Sequence, residues 1–298
     1  IEKGVAGSEQ CFLDPVLYTL ITAPMNATEA SYAETEILLR NYDSIFKRYI
    51  EGSTKVFFGI GNGDTELLIH RLGYNVRKYH EICAIDAQKY YIELYLSGLR
   101  KFALGALGKT MFKGLNKFFD DITKETLDFS NSELKRNTLV MLGNSVGNYV
   151  DQNEVFDILT RCINENEFLL LGIRLALKKN PELVVENYKD RFYNDMVEVI
   201  RRRVGFMSSP RIPITTEKIE WMYDKKENFV KAICGELTLF ASKGYDLDEV
   251  DEIGKKAGLE RVERFTDDLR RYALVIMRKN ENRKKVVASQ RGTSIKLS

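Results

Sequence analysis

Four short apolar runs, KVFFGI, ICAID, TLVMLG and FLLLGI, divide the middle of this chain, and stretches with helical spacing separate them. Parallel neighbours in a sheet need a crossover of a dozen or more residues, usually a helix, so this alternation implies strands laid side by side in parallel. Helices then cover both faces, which is why the strands read as continuous apolar runs. The expected fold is α/β with a mostly parallel sheet. The segment DLDEVDEIGKKAGLERVERFTDD reads as a helix closing at Gly258, and YALVIMRK as a final strand.

The flanks follow other rhythms. ASYAETEILLRNYDSIFKRYI places Ile37, Leu38, Tyr42, Ile45 and Phe46 on one helical face, and Glu51-Gly52-Ser53 then breaks the pattern. Between about Ala176 and Lys243 the strand-helix beat gives way to a long helical stretch, a Pro-bearing segment SSPRIPITTEKIEWMYD, and the alternating KAICGELTLFAS. This reads as a lobe inserted into the sheet domain. The expected organisation is a helical segment 1–50 belonging to the substrate lobe, a core of 51–176 and 244–278, an inserted lobe 177–243, and a basic, flexible tail 279–298.

Charge and composition narrow the function classes. From Arg278 onward the chain carries seven Lys/Arg and one Glu against a net charge of +2 for the whole, so the body is mildly acidic. The tail reads as a solvated terminus, and nucleic acid is not the expected partner. No window approaches the roughly 18 consecutive apolar residues of a membrane span. Cys11, Cys83, Cys162 and Cys234 lack the close spacing of zinc or thiol redox motifs, which predicts reduced thiols and a cytoplasmic protein. With only His70 and His80, a multi-histidine metal site or a Ser-His-Asp triad has few candidates. No signal peptide is read in the residues shown, and no metal is expected.

The strongest chemical signal is KVFFGIGNGDTELLIHRLG, a strand running into a tight turn with Gly59, Gly61, Asn62 and Gly63, then a helix from about Asp64 or Thr65. Glycine permits positive φ and close approach of backbone to a ligand. The spacing is G-x-G-x-G, whereas the dinucleotide fingerprint is G-x-G-x-x-G, and Asp64 stands in its sixth place. An acid at the helix mouth opposes a pyrophosphate and favours a ligand bearing carboxylate and ammonium groups. Asp86 ends the next strand, where a carboxylate accepts both hydroxyls of a ribose. Turn and acid together predict nucleoside binding.

TLVMLGNSVGNYV carries a fourth strand into Gly143, Asn144 and Asn148. Ligands of open α/β sheets sit beyond the carboxyl ends of the strands, so Asn148 is a candidate to face a substrate. The alternative is that Asn144 and Asn148 cap the following helix.

These elements resemble the family of the ergothioneine-pathway histidine N-alpha-methyltransferases, the histidine-specific SAM-dependent methyltransferases. MLGNSVGNY is similar to the family's Leu/Pro-Gly-Ser-x-Ile-Gly-Asn segment. LLLGIRLALKK, ENYKDRFYNDMV and FASKGYDLDEVDEIGKKAGLE match further family segments in order. The resemblance implies a Rossmann-like class I methyltransferase core, with a mostly parallel seven-stranded sheet and an inserted substrate-binding lobe. It also implies S-adenosyl-L-methionine (SAM) as cofactor and S-adenosyl-L-homocysteine (SAH) as product. Gly59, Gly61, Asn62, Gly63, Gly143 and Asn144 would lie on the cofactor, Asp86 would hold its ribose, and Phe118 would pack near adenine unless it is a core aromatic. Asn148 and Tyr188 would position an amino-acid substrate, core packing being the alternative for Tyr188.

The departures concern the acceptor. The family's late strand carries Glu-x-Ser-x-Lys, whose Glu and Ser grip the imidazole of histidine, and aligning its Lys on Lys243 puts Leu239 and Ala241 there. Lys117 replaces the family's acid before the adenine-side Phe, and Leu13-Asp14 stands for its N-terminal Tyr-Asp. A site for histidine would lose about 1 to 3 kcal/mol for each buried polar group left unpaired. The expectation is a SAM-dependent methyltransferase acting on a small molecule, with the amine of an amino acid or related metabolite other than histidine favoured. An enzyme acting on RNA or protein, and a non-catalytic SAM-fold subunit, are the alternatives.

Overall fold

The computed structural model describes residues 29–51, 53–58, 81–87, 89–103, 111–127, 136–149, 151–176, 181–188, 218–235 and 237–280. Helix α1 (Glu29–Ile45) runs into one π-helical turn (Phe46–Ile50) and then strand β1 (Thr54–Phe58). There follow β2 (Glu81–Asp86), α2 (Lys89–Ala103), β3 (Met111–Asn116), β4 (Asn137–Met141), α3 (Gln152–Cys162), β5 (Phe168–Arg174) and α4 (Pro181–Tyr188). The chain continues through β6 (Glu220–Asp224), β7 (Phe229–Cys234), β8 (Leu237–Lys243), α5 (Leu247–Ala257), β9 (Leu259–Thr266) and β10 (Tyr272–Lys279).

Seven strands form one sheet in the order β3-β2-β1-β4-β5-β10-β9. Strands β1 to β5 are mutually parallel, and β10 alone runs antiparallel to both its neighbours. This is the Rossmann-like class I methyltransferase core. The order reverses between β1 and β4, which makes the carboxyl ends of those two strands the switch point where ligands of such sheets bind.

Alternation along the strands divides the interior into two layers. Val56, Phe58, Leu139, Met141, Leu169, Leu171, Val275 and Met277 pack with Val155, Phe156 and Leu159 of α3 and Val250 and Ile253 of α5. Phe57, Ile82, Val140, Leu170, Leu274 and Ile276 face the other way, onto Ile37, Leu38 and Ile45 of α1 and Tyr95 and Leu99 of α2. Each such side chain stabilises the fold by about 1.5–3 kcal/mol on burial. The apolar face read along ASYAETEILLRNYDSIFKRYI is the one α1 buries, with Ile37, Leu38, Ile45 and Phe46 in the core and Tyr42 packed against it. At the far end of the sheet Gly258, at φ 90°, ends α5 where the sequence placed the stop.

The strands not readable as apolar runs are the two edges. β3 and β9 alternate or expose most of their residues, and MFKGLN and LERVERFT carry charge accordingly. An edge strand is half solvated, so the continuous apolar signature of a central strand is missing from it. β6, β7 and β8 form a separate antiparallel sheet between β5 and α5 in chain order. Among the described residues no helix is long and apolar enough to cross a membrane.

Candidate active site

The glycine turn of Gly59, Gly61, Asn62 and Gly63 lies outside the described residues, as does the side chain of Tyr188, the last residue of α4. The neighbouring rim is described. Asp86 closes β2 and is 8% exposed. Its carbonyl accepts from Asn116 Nδ2 at 3.1 Å and from Lys117 N at 3.1 Å, so the ends of β2 and β3 are pinned together. The pairing brings Phe118 to the same end of the sheet as Asp86. Phe118 is 51% exposed and is therefore not a core aromatic. That part is taken by Phe119, whose ring meets Phe58 at 6.1 Å and Tyr149 at 5.4 Å.

The turn after β4 is fixed from three distant elements. Gly143 N donates to both carboxylate oxygens of Glu34 on α1, at 3.0 and 3.3 Å. Asn144 adopts a left-handed conformation, φ 58°, that its short polar side chain tolerates. Its Nδ2 donates to Lys243 O at 3.0 Å on β8, and its Oδ1 accepts from Arg174 N at 2.9 Å on β5. Gly147 is needed here, since a Cβ would stand 2.9 Å from Lys243 O and crowd the Asn144 amide. Asn148 ends the 3-10 turn Ser145–Asn148 and is half-buried.

Asn144 makes no capping bond, and α3 is capped instead by Asp151, which accepts from Asn153 N and Glu154 N. The Asn144 amide serves β5 and β8, and its backbone carbonyl accepts from Gly147 N at 2.8 Å.

Ala241 shares a face of β8 with Lys243, Leu239 lies at the irregularity in the β7–β8 register, and the two are 0% and 1% exposed. Lys243 Nζ pairs with Glu249 at 2.9 Å, donates to Glu227 O at 2.5 Å, and lies over the Phe229 ring at 4.9 Å. Opposite Ala241 on β7 stands Lys231, which pairs with Asp224 at 2.9 Å. Both ammonium groups are thus neutralised, Lys231 within the lobe and Lys243 by Glu249 of α5.

The two sheets are joined below the turn. Arg174 Nη2 donates to Ser242 O at 3.0 Å, and Leu175 bridges Tyr245 in parallel. Tyr245 donates to Gln152 Oε1, and Gln152 Nε2 donates to the carbonyls of Val146 and Tyr149. Burial, with Glu249 nearby, holds the Tyr245 hydroxyl well above its ordinary pKa, so it remains a donor.

Glu34, Arg174, Gln152 and Tyr245 were not among the residues singled out from sequence. Glu34 alone left a signal, an acid set at helical spacing among Ala33, Ile37 and Leu38 on the buried face of α1. The others act through partners distant in the chain or through backbone groups that no local pattern reveals.

A carboxylate at the end of β2 and an exposed aromatic ring just past β3 are what the ribose and base of a nucleoside require, and the rim residues fit SAM in that sense. The family model described as "Histidine-specific methyltransferase, SAM-dependent" matches residues 30–205, more than half of the chain. The chain belongs to that family. This member of the histidine-specific SAM-dependent methyltransferases is accordingly an enzyme whose methyl donor is SAM. No curated protein matches it.

Among solved structures, it is similar to a SAM-dependent methyltransferase from Clostridium acetobutylicum ATCC 824, with 8% identity over 89% of this chain and 96% of the other and a TM-score of 0.48. The CcbJ methyltransferase from Streptomyces caelestis gives 10% identity over 83% and 94%, with a TM-score of 0.46. The PH0226 protein from Pyrococcus horikoshii OT3 gives 12% over 92% and 99%, with a TM-score of 0.46.

Proposed function

We propose that this family member methylates the neutral amine of a small acceptor, an amino acid or related metabolite other than histidine whose side chain is apolar. The reading rests on β8, where Leu239 and Ala241, 1% and 0% exposed, stand where the sequence resemblance, aligned on Lys243, puts the family's imidazole-binding Glu and Ser. The polar groups beside them, Lys231 and Lys243, are committed to Asp224, Glu227 and Glu249. A polar ring placed against this wall would lose about 1–3 kcal/mol per unmatched group.

SAM supplies an electrophilic methyl group on its sulfonium. Asp86 would hold the ribose hydroxyls, Phe118 would give its exposed face to the adenine, and Gly59, Gly61, Asn62 and Gly63 would receive the amino-acid end. Asn148, with Tyr188, orients the acceptor so that its nitrogen lone pair points along the line of displacement, and the lobe excludes water from it. An ammonium has no lone pair, so the acceptor gives up a proton before attack. In this reading the acceptor side is assigned to the segment 1–50 and the lobe 177–243, of which α1, α4 and β6 to β8 are described, and the donor side to the strands of the large sheet. Cys83, Cys162 and Cys234 are buried, and burial pushes the Cys162 thiol up to about 11, which keeps it protonated and unreactive.

The test is transfer from methyl-labelled SAM to an equimolar mixture of the twenty amino acids and simple amines, with SAH binding measured by calorimetry. Label on an apolar amino acid is the expected result. Label on histidine would overturn the acceptor assignment, and absence of SAH binding would overturn the site.

A further inference from the structure

A carboxylate buried among apolar side chains is costly unless the structure uses it, because its desolvation has to be offset by directed hydrogen bonds. Glu34 is 1% exposed and sits on the face of α1 that carries Ala33, Ile37 and Leu38. Its two oxygens share the Gly143 amide at 3.0 and 3.3 Å. The sheet is shaped to admit it. At Gly172 of β5 a Cβ would collide with Glu34 Oε1 and lie 2.9 Å from the Tyr272 hydroxyl, so the absence of a side chain there makes the space the carboxylate occupies.

Gly143 opens the turn that ends at Asn148. The rest of the turn is held by the Asn144 side chain, to β5 and β8, by the Gly147 N–H, which donates to Asn144 O at 2.8 Å, by Ser145, whose N and Oγ donate to Leu142 O at 3.2 and 2.7 Å, and by Gln152, which donates to Val146 O. Glu34 supplies the anchor from the α1 side, at the first peptide after the strand. We propose that Glu34 is a positioning residue for the acceptor: by holding the Gly143 amide it sets the turn Gly143–Asn148 and thereby the direction in which Asn148 is presented. The inference rests on the assignment of Asn148 to the acceptor. It makes α1 a part of the acceptor machinery. The donor groups Asp86, at the end of β2, and Phe118, past the end of β3, stand on other elements, and the Gly143 N–H is already taken by Glu34.

Two readouts test it on the full chain. Hydrogen exchange of the segment 142–148 reports the anchor itself, and in Glu34→Ala we expect exchange there to accelerate by about tenfold while peptides from β10 are unchanged. Methyl transfer from labelled SAM to the amino-acid mixture should fall by about 10–100-fold in Glu34→Ala, with SAH affinity within about threefold. Glu34→Gln keeps an oxygen at the same place and should retain transfer within about fivefold. Gly172→Ala pushes on the carboxylate and should reproduce the loss, yet add less than about twofold in a Glu34→Ala background.

In an Asn148→Ala background, Glu34→Ala should likewise add less than about twofold. A merely structural Glu34 would give the same fold loss with or without Asn148, and that result overturns the proposal. Unchanged exchange in 142–148 overturns it as well. If wild-type protein labels nothing in the mixture, the acceptor assignment is what has failed, and the exchange measurement still decides whether Glu34 anchors the turn.

Discussion

The two ends of the central sheet are built from the same strands and resolve their polar groups in opposite ways. At the amino end the groups satisfy one another: Ser53 Oγ meets Thr138 Oγ1 at 2.9 Å and donates to Ile50 O at 2.7 Å, and Thr138 Oγ1 reaches Tyr49 O at 2.5 Å. Arg136 Nη2 donates to Glu51 O at 2.5 Å and Lys55 Nζ to Ser53 O at 2.8 Å, so the exit from α1 is sewn to β1 and β4. At the carboxyl end the backbone is pinned with equal care, through Asn116, Asn144 and Glu34, while Asp86 closes β2, Asn148 closes the 3-10 turn and Phe118 stands exposed past β3. Substitutions at the amino end should therefore change stability. Those at the carboxyl end should change binding and turnover with stability kept.

The sharpest contrast is expected at Asn148. Asn148→Ala removes a group proposed to orient the acceptor, and turnover should fall by about 100-fold while SAH affinity stays within about threefold. Steady-state transfer and calorimetry on the same preparation check it, and unchanged turnover removes Asn148 from the acceptor. Asp86→Ala should show the reverse pattern. Losing a charged acceptor of ribose hydroxyls weakens SAH by about 10–100-fold, and a thermal midpoint within a few degrees of wild type would place the effect in binding.

How much of this was open to a reader of the sequence follows the same division. The central strands announced themselves because burial on both faces demands continuous apolar text, as in TLVMLG and FLLLGI, and Gly258 marked the end of α5. The edges β3 and β9 and the lobe strand β6 did not, since half-exposed strands carry residues such as Lys113, Glu260 and Glu220 that read equally well as loop or helix. At the site, the place of Asp86 at the end of β2 was legible, because an apolar run that closes on an acid marks a strand end. Asn144 was assigned to cofactor or cap, and its side chain serves neither a cap nor the rim, because its partners Arg174 and Lys243 are thirty and ninety-nine residues away. Long-range closure of that kind leaves no local trace.

The amino end makes a prediction about pH. Burial, reinforced by repulsion from Arg136, lowers the pKa of Lys55 to about 7. Between about 7 and its ordinary value of 10.5 the unfolded lysine keeps a proton that the folded one has lost. The unfolded state then binds more protons, and the contribution of this group makes stability rise with pH across that window. Below pH 7 both states are protonated and the cost of burying the charge is borne in full. Lys55→Met should therefore raise stability at pH 6.5, by about 1–3 kcal/mol, and the advantage should shrink towards pH 10. Urea unfolding of both proteins at pH 6.5, 8 and 9.5 measures the slope, and parallel curves would show that the lysine is accommodated in its charged form.

The smallest effect is the most discriminating, because two adjacent rings should part company. Phe118 is 51% exposed past β3, whereas Phe119 packs on Phe58 and Tyr149. Stacking on a base is worth about 1 kcal/mol, so Phe118→Ala should weaken SAH by about three- to tenfold and leave the melting temperature in place, and Phe118→Trp should restore the affinity. Phe119→Ala opens a gap in the layer beneath and should cost about 3 kcal/mol of stability. If both substitutions lower stability alike, Phe118 belongs to the packing and the rim loses its aromatic face. If Phe118→Ala moves SAH affinity alone, the boundary between fold and donor site runs between two neighbouring residues of the chain.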